Sequence, residues 1–254
     1  MIGQGLKITI VTAVLNSKDF IEDCIQSILH QTHKDIEHIV IDGGSTDGTV
    51  GTIEKYQLGI TKIVSERDNG IYDAMNKGIR FATGEVIGIL NADDFYPDSD
   101  ILEKVAQVFK NEHIESCYGD LEYVNAVNTA KVVRHWRSGS FHINKFYWGW
   151  MPPHPTFFVR RSVYQRYGLF NLNLGSAADY ELMLRFLVKH RISTAYIPKV
   201  LVRMRMGGVS NAAVKNRIKA NLMDREAWRV NGLRPYPWTL LFKPVRKFHQ
   251  VFIR

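Results

Sequence analysis

Residues Glu85-Val-Ile-Gly-Ile-Leu-Asn-Ala-Asp-Asp94 read as a buried strand running directly into two adjacent carboxylates, Asp93 and Asp94. A strand of this kind ends at the edge of a sheet. Paired hard oxygen donors there can hold Mg²⁺ or Mn²⁺ and still leave positions on the cation for phosphate oxygens. The same acids also read as a turn or a helix N-cap, because Phe95-Tyr-Pro-Asp-Ser-Asp100 follows. The flanking sequence bears on the choice.

Working outward, strand and helix alternate. Lys7 to Val14 is a β-rich apolar run, and Ile21, Cys24, Ile25, Ile28 and Leu29 then recur at the helical period. Ile36 to Ile41 predicts a second strand and Gly48 to Tyr56 a second helix. Ile60 to Ser65 predicts a third strand, and Ile71 to Ala82 a third helix closed by Gly84 before the strand that delivers the aspartates. This pattern implies βαβ units in an α/β fold, with a mostly parallel central sheet flanked by helices. Ligands in such sheets bind beyond the C-terminal strand ends. Those ends are Thr12-Ala-Val-Leu-Asn16, Asp42-Gly-Gly-Ser-Thr-Asp-Gly-Thr49, Ser65-Glu-Arg-Asp-Asn-Gly70 and Asn91-Ala-Asp-Asp94. Gly43 and Gly44 permit close backbone approach, Asp42 can accept a hydrogen bond from a base imide, and Asp47 or Ser45 can cap the next helix. The glycine-rich run also reads as a plain strand-to-helix turn.

After residue 112 the pattern changes. Ser116 to Val127 and Lys131 to Trp136 are β-like, and Phe141 to Trp150 is an aromatic loop. It leads to Pro152-Pro-His-Pro-Thr-Phe-Phe-Val159, and Ala177 to His190 then reads as a helix opening on Asp179. The division expected is one domain over 1–232, with a first half at about 1–112 and a second at about 113–232 built to hold a variable partner, then a tail at 233–254.

A chain of 254 residues with 45% hydrophobic content can bury a full core. No run reaches the roughly 18 apolar residues of a membrane span, and the start leads straight into a strand, so a cytoplasmic protein is expected. Cys24 and Cys117 fall on apolar faces and read as packed reduced thiols. The net charge of +8 is unevenly placed: residues 203–254 hold twelve Lys or Arg and two acids, leaving 21 basic and 23 acidic residues in 1–202. Such asymmetry points to an anionic partner for the C-terminal segment. Drawn as a helix, Trp238, Leu241, Phe242, Val245, Phe248 and Phe252 share one arc, with Lys243, Arg246, Lys247 and Arg254 beside it and a kink or helix start at Pro244. That suits an anionic membrane surface, and the other reading is a helix packed on the domain. No nucleic-acid recognition motif is present, so nucleic acid is not expected as a partner.

Six segments in order resemble family 2 glycosyltransferases of the GT-A, Rossmann-like fold, in particular non-processive bacterial enzymes of the colanic-acid and exopolysaccharide type. They are Ile10 to Asn16, Val40 to Thr49, Asp68 to Gly78, Leu90 to Asp94, Ala178 to Leu182 and Met206 to Ser210. The resemblance implies that Thr12, Asn16 and Asp42 line the nucleobase and ribose pocket, completed by Arg67 or Asp68. Asp93 would face the ribose or the metal, Asp94 would ligate Mg²⁺ or Mn²⁺ at the diphosphate, and Asp179 would be the catalytic base. Asn91 departs from the family's Asp-x-Asp, which leaves the division of ligation between Asp93 and Asp94 open.

The implied reaction is an inverting, metal-dependent transfer of a hexosyl or N-acetylhexosaminyl group. The donor would be a nucleotide sugar, UDP-linked for preference. The acceptor would be a glycan or polyprenyl-diphosphate-linked sugar, in capsule, O-antigen or exopolysaccharide synthesis at the inner face of the cell membrane. On residues alone Asp179 reads as a helix-start cap. His154 reads as a contact for phosphate, metal or acceptor, or as a packed ring. Lys77 and Asn76 read as supports of the crevice, Lys77 equally as a solvated residue, and Arg203 and Arg205 as candidates to steady the diphosphate. A nucleotidyltransferase would share the strand-end acids but should carry a glycine-rich basic loop where Asn16-Ser-Lys-Asp-Phe20 stands. A non-catalytic nucleotide-sugar-binding module is the third reading.

Overall fold

The computed structural model describes residues 5–207, 214–240 and 242, with 214–221 described through the backbone alone. The first part follows the alternation: β1 (Ile8–Val14), α1 (Ile21–Leu29), β2 (Ile36–Asp42), α2 (Thr49–Glu54), β3 (Lys62–Ser65), α3 (Ile71–Phe81) and β4 (Val86–Ile89). The second part adds β5 (Asp94–Phe95), α4 (Ile101–Phe109), β6 (Ser116–Val124), β7 (Val132–Trp136), α5 (Asn144–Tyr147), β8 (Phe158–Arg160) and α6 (Arg161–Tyr167). It closes with α7 (Ala178–Met183), β9 (Thr194–Arg205) and α8 (Val214–Val230).

One sheet of order β3-β2-β1-β4-β8-β6-β9-β5 crosses both parts, with β7 on β6. It is parallel through β3-β2-β1-β4. Beyond β4 it is mixed, because β8 enters antiparallel to β4 and to β6 while β6 and β9 run parallel. Strand order reverses at β1, with β2 on one side and β4 on the other, and a ligand crevice is expected at such a switch point.

The central strands β1, β2 and β4 are buried almost throughout because both faces are covered. Ile8, Ile10 and Val14 of β1 point into a layer shared with Ile21, Cys24 and Ile25 of α1 and Ile101, Leu102 and Val105 of α4. Val11 and Ala13 point the other way, toward Ala74, Met75 and Ile79 of α3 and the aromatic core of the second part. Helix α3 lies close on the sheet at Gly78, where an added Cβ would stand 2.3 Å from Val11 Cγ1. That approach fixes the height of the helix above the strand ends.

Two clamps join α3 and α8 to the segment that carries Asp179. Asn76 is buried and bonds both backbone groups of Phe170, donating to its carbonyl and accepting from its N–H at 2.9 Å each. Removing such an amide leaves buried backbone groups unpaired at about 1–3 kcal/mol each. From α8, the fully buried Trp228 donates to Tyr180 Oη at 2.9 Å, and Asn231 donates to Glu181 Oε1 at 3.1 Å. The expected helix 177–190 is α7 followed by a wider π-helical run over Leu184–Lys189.

Both cysteines are buried free thiols, and burial pushes their pKa values up. Among the described residues no helix is long and apolar enough to cross a membrane. The expectations for Gly208 to Ser210, Leu241, Lys243, Pro244, Val245, Arg246, Lys247, Phe248, Phe252 and Arg254 lie outside the described residues.

Candidate active site

The loops after β1 and β2 are laced together at the crevice. Asn16 takes a left-handed φ of 48°, its N–H donates to Ser45 Oγ at 2.8 Å, and its Oδ1 accepts from the Thr46 N–H at 2.9 Å. Its exposed side-chain NH₂ group remains on the surface of the loop. Asp42 is fully buried and accepts from the N–H groups of Gly44 and Ser45 and from the hydroxyls of Ser45 and Ser65. Those bonds fill its roughly four lone-pair positions. In this structure the carboxylate builds the loop from beneath.

Above it stands Asp68. Its Oδ1 accepts from the Gly70 N–H at 2.8 Å, while its Oδ2 lies where a Cβ on Gly43 would be only 2.4 Å away. Gly43 thus has a specific reason to be glycine. Arg67 is exposed beside Gly44. Lys77 spends its charge on this loop, bonding Glu66 at 2.8 Å, the Arg67 carbonyl at 3.2 Å and Asp73 at 3.7 Å. It supports the crevice edge.

Thr12 lies deeper in the fold. It shares the parity of Ile10 and Val14, so its hydroxyl faces α1, 3.0 Å from His38 Nε2 and 3.8 Å from Cys24 Sγ, with no exposure. The two arginines are likewise committed elsewhere. Arg203 bonds Glu122 at 2.9 Å, and Glu122 also pairs with His135. Arg205 is 5% exposed, packs against the Phe20 and Phe95 rings, pairs with Asp23 and donates to the Asp93 carbonyl at 2.9 Å. It fixes the backbone of the acidic pair instead of reaching a diphosphate.

The two acids differ in surroundings. Asp94 is fully buried beside Cys24 and Tyr123, its Oδ2 accepts from Asn91 Nδ2 at 3.2 Å, and the Oδ1 atoms of both residues have no partner. Burial, and then the charge of Asp93, push its pKa well above the carboxylate range. Asp93 is partly exposed and also raised by burial, opposed by the charges of Arg205 and His154. His154 in turn sits with Nδ1 3.2 Å from Asp179 Oδ2. His154 thus touches Asp179 and stands near enough to Asp93 to act on it electrostatically, while Asp94 is fully buried.

Asp179 stands in the first turn of α7 and its Oδ1 accepts from the Tyr180 N–H at 2.7 Å; the cap position itself is Ala177, without a side-chain cap bond, so Asp179 is not the cap. It is bonded as well by the Tyr72 phenol, whose pKa is pushed up by burial and by the Asp179 charge. Tyr72 was not singled out from sequence. Its position in the first turn of α3, beside the glycine-rich crevice, was the only signal.

Among the described residues no three His, Cys, Asp or Glu form a metal cage. Mg²⁺ is commonly held by one or two carboxylates with substrate phosphates completing its shell. The Asp93 carboxylate and the unclaimed Oδ1 atoms of Asp94 and Asn91 are hard oxygen donors of that kind.

The model of Glycosyl transferase family 2 matches residues 9–168. A PGL/p-HBAD biosynthesis glycosyltransferase of Mycobacterium bovis is 33% identical over 210 residues, covering 81% of this chain and 80% of its own length. The structure of S. aureus TarS 1–349 shares a TM-score of 0.71 and 17% identity over 96% of this chain and 72% of that chain. The mannosyltransferase PcManGT from Pyrobaculum calidifontis, in complex with GDP-Man and Mn²⁺, shares 0.65 and 17% over 98% and 70%. At that identity the two structures speak for the GT-A fold, while the family match and the mycobacterial relative speak for descent. This chain is a member of glycosyl transferase family 2.

Proposed function

We propose that this protein catalyses an inverting transfer of a hexosyl or N-acetylhexosaminyl group from a uridine-diphosphate-linked donor. The acceptor is a hydroxyl of a glycan or polyprenyl-diphosphate-linked sugar in surface-polysaccharide synthesis. The observation that supports the reading is the contact of Asp179 Oδ2 with His154 Nδ1 at 3.2 Å, on a histidine near enough to Asp93 to act on it electrostatically. One carboxylate stands at a phosphate-facing strand end, and the other stands where an acceptor would enter.

Asp68 is the acceptor for the imide N–H of the base, its Oδ2 lying close over the Gly43 backbone. The Asn16 amide suits a ribose hydroxyl, and Arg67 stands at the rim. Asp93, with Asp94 and Asn91 beneath it, would hold Mg²⁺ or Mn²⁺. A bound cation of this type stabilises the negative charge of a departing diphosphate. Asp179 accepts the acceptor's hydroxyl proton as that oxygen bonds to the anomeric carbon. The bond from that carbon to the diphosphate breaks, and its electron pair leaves with the diphosphate. A positioned base of this kind contributes about 10²–10⁴-fold. A single displacement with one base inverts the anomeric centre.

The peripheral membrane reading gains support from an aromatic patch that sequence alone did not assemble. Trp148 of the mid-chain loop meets Trp238 and Phe242 at ring distances of 5.9 and 5.7 Å. All three side chains are exposed. Aromatic rings beside basic residues suit the headgroup region of an anionic inner leaflet.

The test is thermal stabilisation by a panel of uridine, guanosine and thymidine diphosphate sugars, with and without Mn²⁺. The reading expects the largest shift from a uridine compound with Mn²⁺, followed by release of UDP on adding acceptor. Stabilisation by a guanosine or thymidine compound instead would overturn the base assignment, and no response to any nucleotide would overturn the transferase reading.

A further inference from the structure

Between Glu122 and Asp224 the chain holds sixteen Lys or Arg and two acids, Asp179 and Glu181. Glu181 is buried in its pair with Arg185, and the Asp179 side chain is only 16% exposed, so both are withdrawn from the outer surface. An anion is the partner that such a field collects. Within this half lies a shallow groove of about 360 Å³, lined by Phe141, His142, Ile143, Leu187 and Arg191. We propose that the groove takes one acyl chain of an anionic phospholipid, with the headgroup phosphate on Arg191 and His142. The inference rests on the membrane part of the reading above and is independent of the transfer chemistry.

The lining divides by chemistry. Phe141 and Ile143 are partly buried against the aromatic core, and Leu187 belongs to that core. These three offer a hydrocarbon chain an apolar surface away from water. The polar lining donates. Arg191 is exposed, and its guanidinium makes no hydrogen bond, ion pair or ring contact with any described residue. His142 is exposed too, and its Nδ1 accepts from the Asn144 N–H at 3.3 Å, which leaves the ring proton on Nε2. An apolar lining with two donors and no carboxylate fits a chain that ends in a phosphate, and a guanidinium pairs with phosphate oxygens through two parallel bonds.

The backbone under the groove is unusual in two ways. Leu187 sits in the π-helical run Leu184–Lys189, a conformation that is rare and recurs at functional sites. Arg191 ends the turn after it with a left-handed φ of 53°, where glycine is usual, and the Ile192 N–H returns to the Phe186 carbonyl at 3.1 Å. An arginine held there is an outlier of the kind that accompanies binding. What stands nearby narrows the occupant. Only α5 separates Ile143 from the exposed Trp148, and Phe141 anchors the near end of this loop on Phe146 and Trp150 at ring distances of 6.4 and 6.3 Å. A surface that seats Trp148 therefore brings lipid close to the groove. Residues 243–254 carry Lys243, Arg246, Lys247 and Arg254 and no acidic side chain, so their charge repels Arg191 instead of pairing with it.

The experiment titrates the full chain with dihexanoyl phosphatidylglycerol kept below its micelle concentration, so that single lipids and no membrane are offered. Calorimetry should show one site. Arg191→Gly, which suits the left-handed backbone and deletes the guanidinium, should lower the affinity by about 10–100-fold, the worth of hydrogen bonds to a charged group. Ile143→Asp should weaken binding from the apolar side, and Arg191→Gly decides if that variant fails to fold. Dihexanoyl phosphatidylcholine should bind more weakly, since its ammonium cancels the charge. No binding of the phosphatidylglycerol, unchanged affinity in Arg191→Gly, or inorganic phosphate that displaces the lipid at equal concentration overturns the proposal. A prenyl monophosphate that binds more tightly than the phospholipid overturns it as well. Flotation on anionic vesicles is measured alongside. A chain that floats but binds no single lipid defeats the groove and spares the membrane reading; one that binds single lipids with the expected losses but does not float defeats the membrane reading and spares the groove.

Discussion

The Asp68 carboxylate occupies the space above Gly43 that any other residue would fill: a β-carbon at Gly43 would stand 2.4 Å from Asp68 Oδ2 and 3.0 Å from its Cγ. Gly43→Ala must therefore push the carboxylate aside. If Asp68 receives the base imide, this substitution weakens nucleotide diphosphate binding by about tenfold, the worth of one modest hydrogen bond. The fold should be spared, because Asp68 is a half-exposed loop residue. Isothermal titration with UDP measures it, and unchanged affinity would remove Asp68 from the base pocket.

The unequal surroundings of the two strand-end acids predict unequal metal responses. Asp93 reaches the crevice, so Asp93→Asn should abolish the Mn²⁺-dependent part of nucleotide stabilisation. Asp94 and Asn91 brace it from below, and Asp94→Asn should retain the response at an Mn²⁺ affinity lowered about 10–100-fold, as supporting residues of metal sites generally do. Mn²⁺ titrations of thermal shift distinguish the two, and the reverse order would return the main ligand role to Asp94.

His38 gives a pH dependence whose sign is fixed by burial. The ring is fully buried with only Thr12 as partner, its Nδ1 has none, and burial lowers its pKa from 6.5 to about 3. Below pH 6.5 the unfolded chain binds a proton that the folded chain refuses, so the His38 contribution is fully present above 6.5 and is lost as pH falls toward 3. The slope is at most about 1.4 kcal/mol per pH unit. Urea unfolding at pH 7.5, 6, 5 and 4 should show a shallower acid loss for His38→Gln than for the native chain. Parallel curves would contradict it.

The aromatic patch predicts membrane recovery. In flotation with vesicles containing anionic lipid, the full chain should float, and Trp148→Ala with Trp238→Ala should lower the floated fraction and steepen its salt dependence. Trp148 is far from the basic tail in sequence, so its effect separates this patch from charge alone. Equal recovery of native and variant protein in the soluble fraction would end the membrane reading.

Much of this was legible in the chain, and the rest fails for reasons that can be named. β1, β2 and β4 are buried on both faces and read as β-rich runs dominated by apolar residues, and their polar or glycine-rich ends mark the crevice. β5 and β8 hold two and three residues, too short for any period, and exist because distant partners pair with them. The strand-end position of Thr12 suggests the crevice, while its parity with Ile10 and Val14 turns its side chain toward α1. Asp42 and Arg205 are of the right chemical type, but they bond Ser45 and Ser65, and Asp23 and the Asp93 carbonyl, respectively, which spacing does not reveal. The partnership of His154 with Asp179 spans 25 residues and two elements, and Tyr72 reaches the same carboxylate from a third.

The central claim is that Asp179 removes the acceptor proton while the donor is held by the other half of the crevice. Asp179→Asn tests it most directly, with donor Kd measured by titration and kcat by diphosphate release from the same preparation. The account predicts unchanged donor Kd and a kcat lower by about 10²–10⁴-fold. Native kcat in that variant, or a loss confined to donor binding, would contradict it.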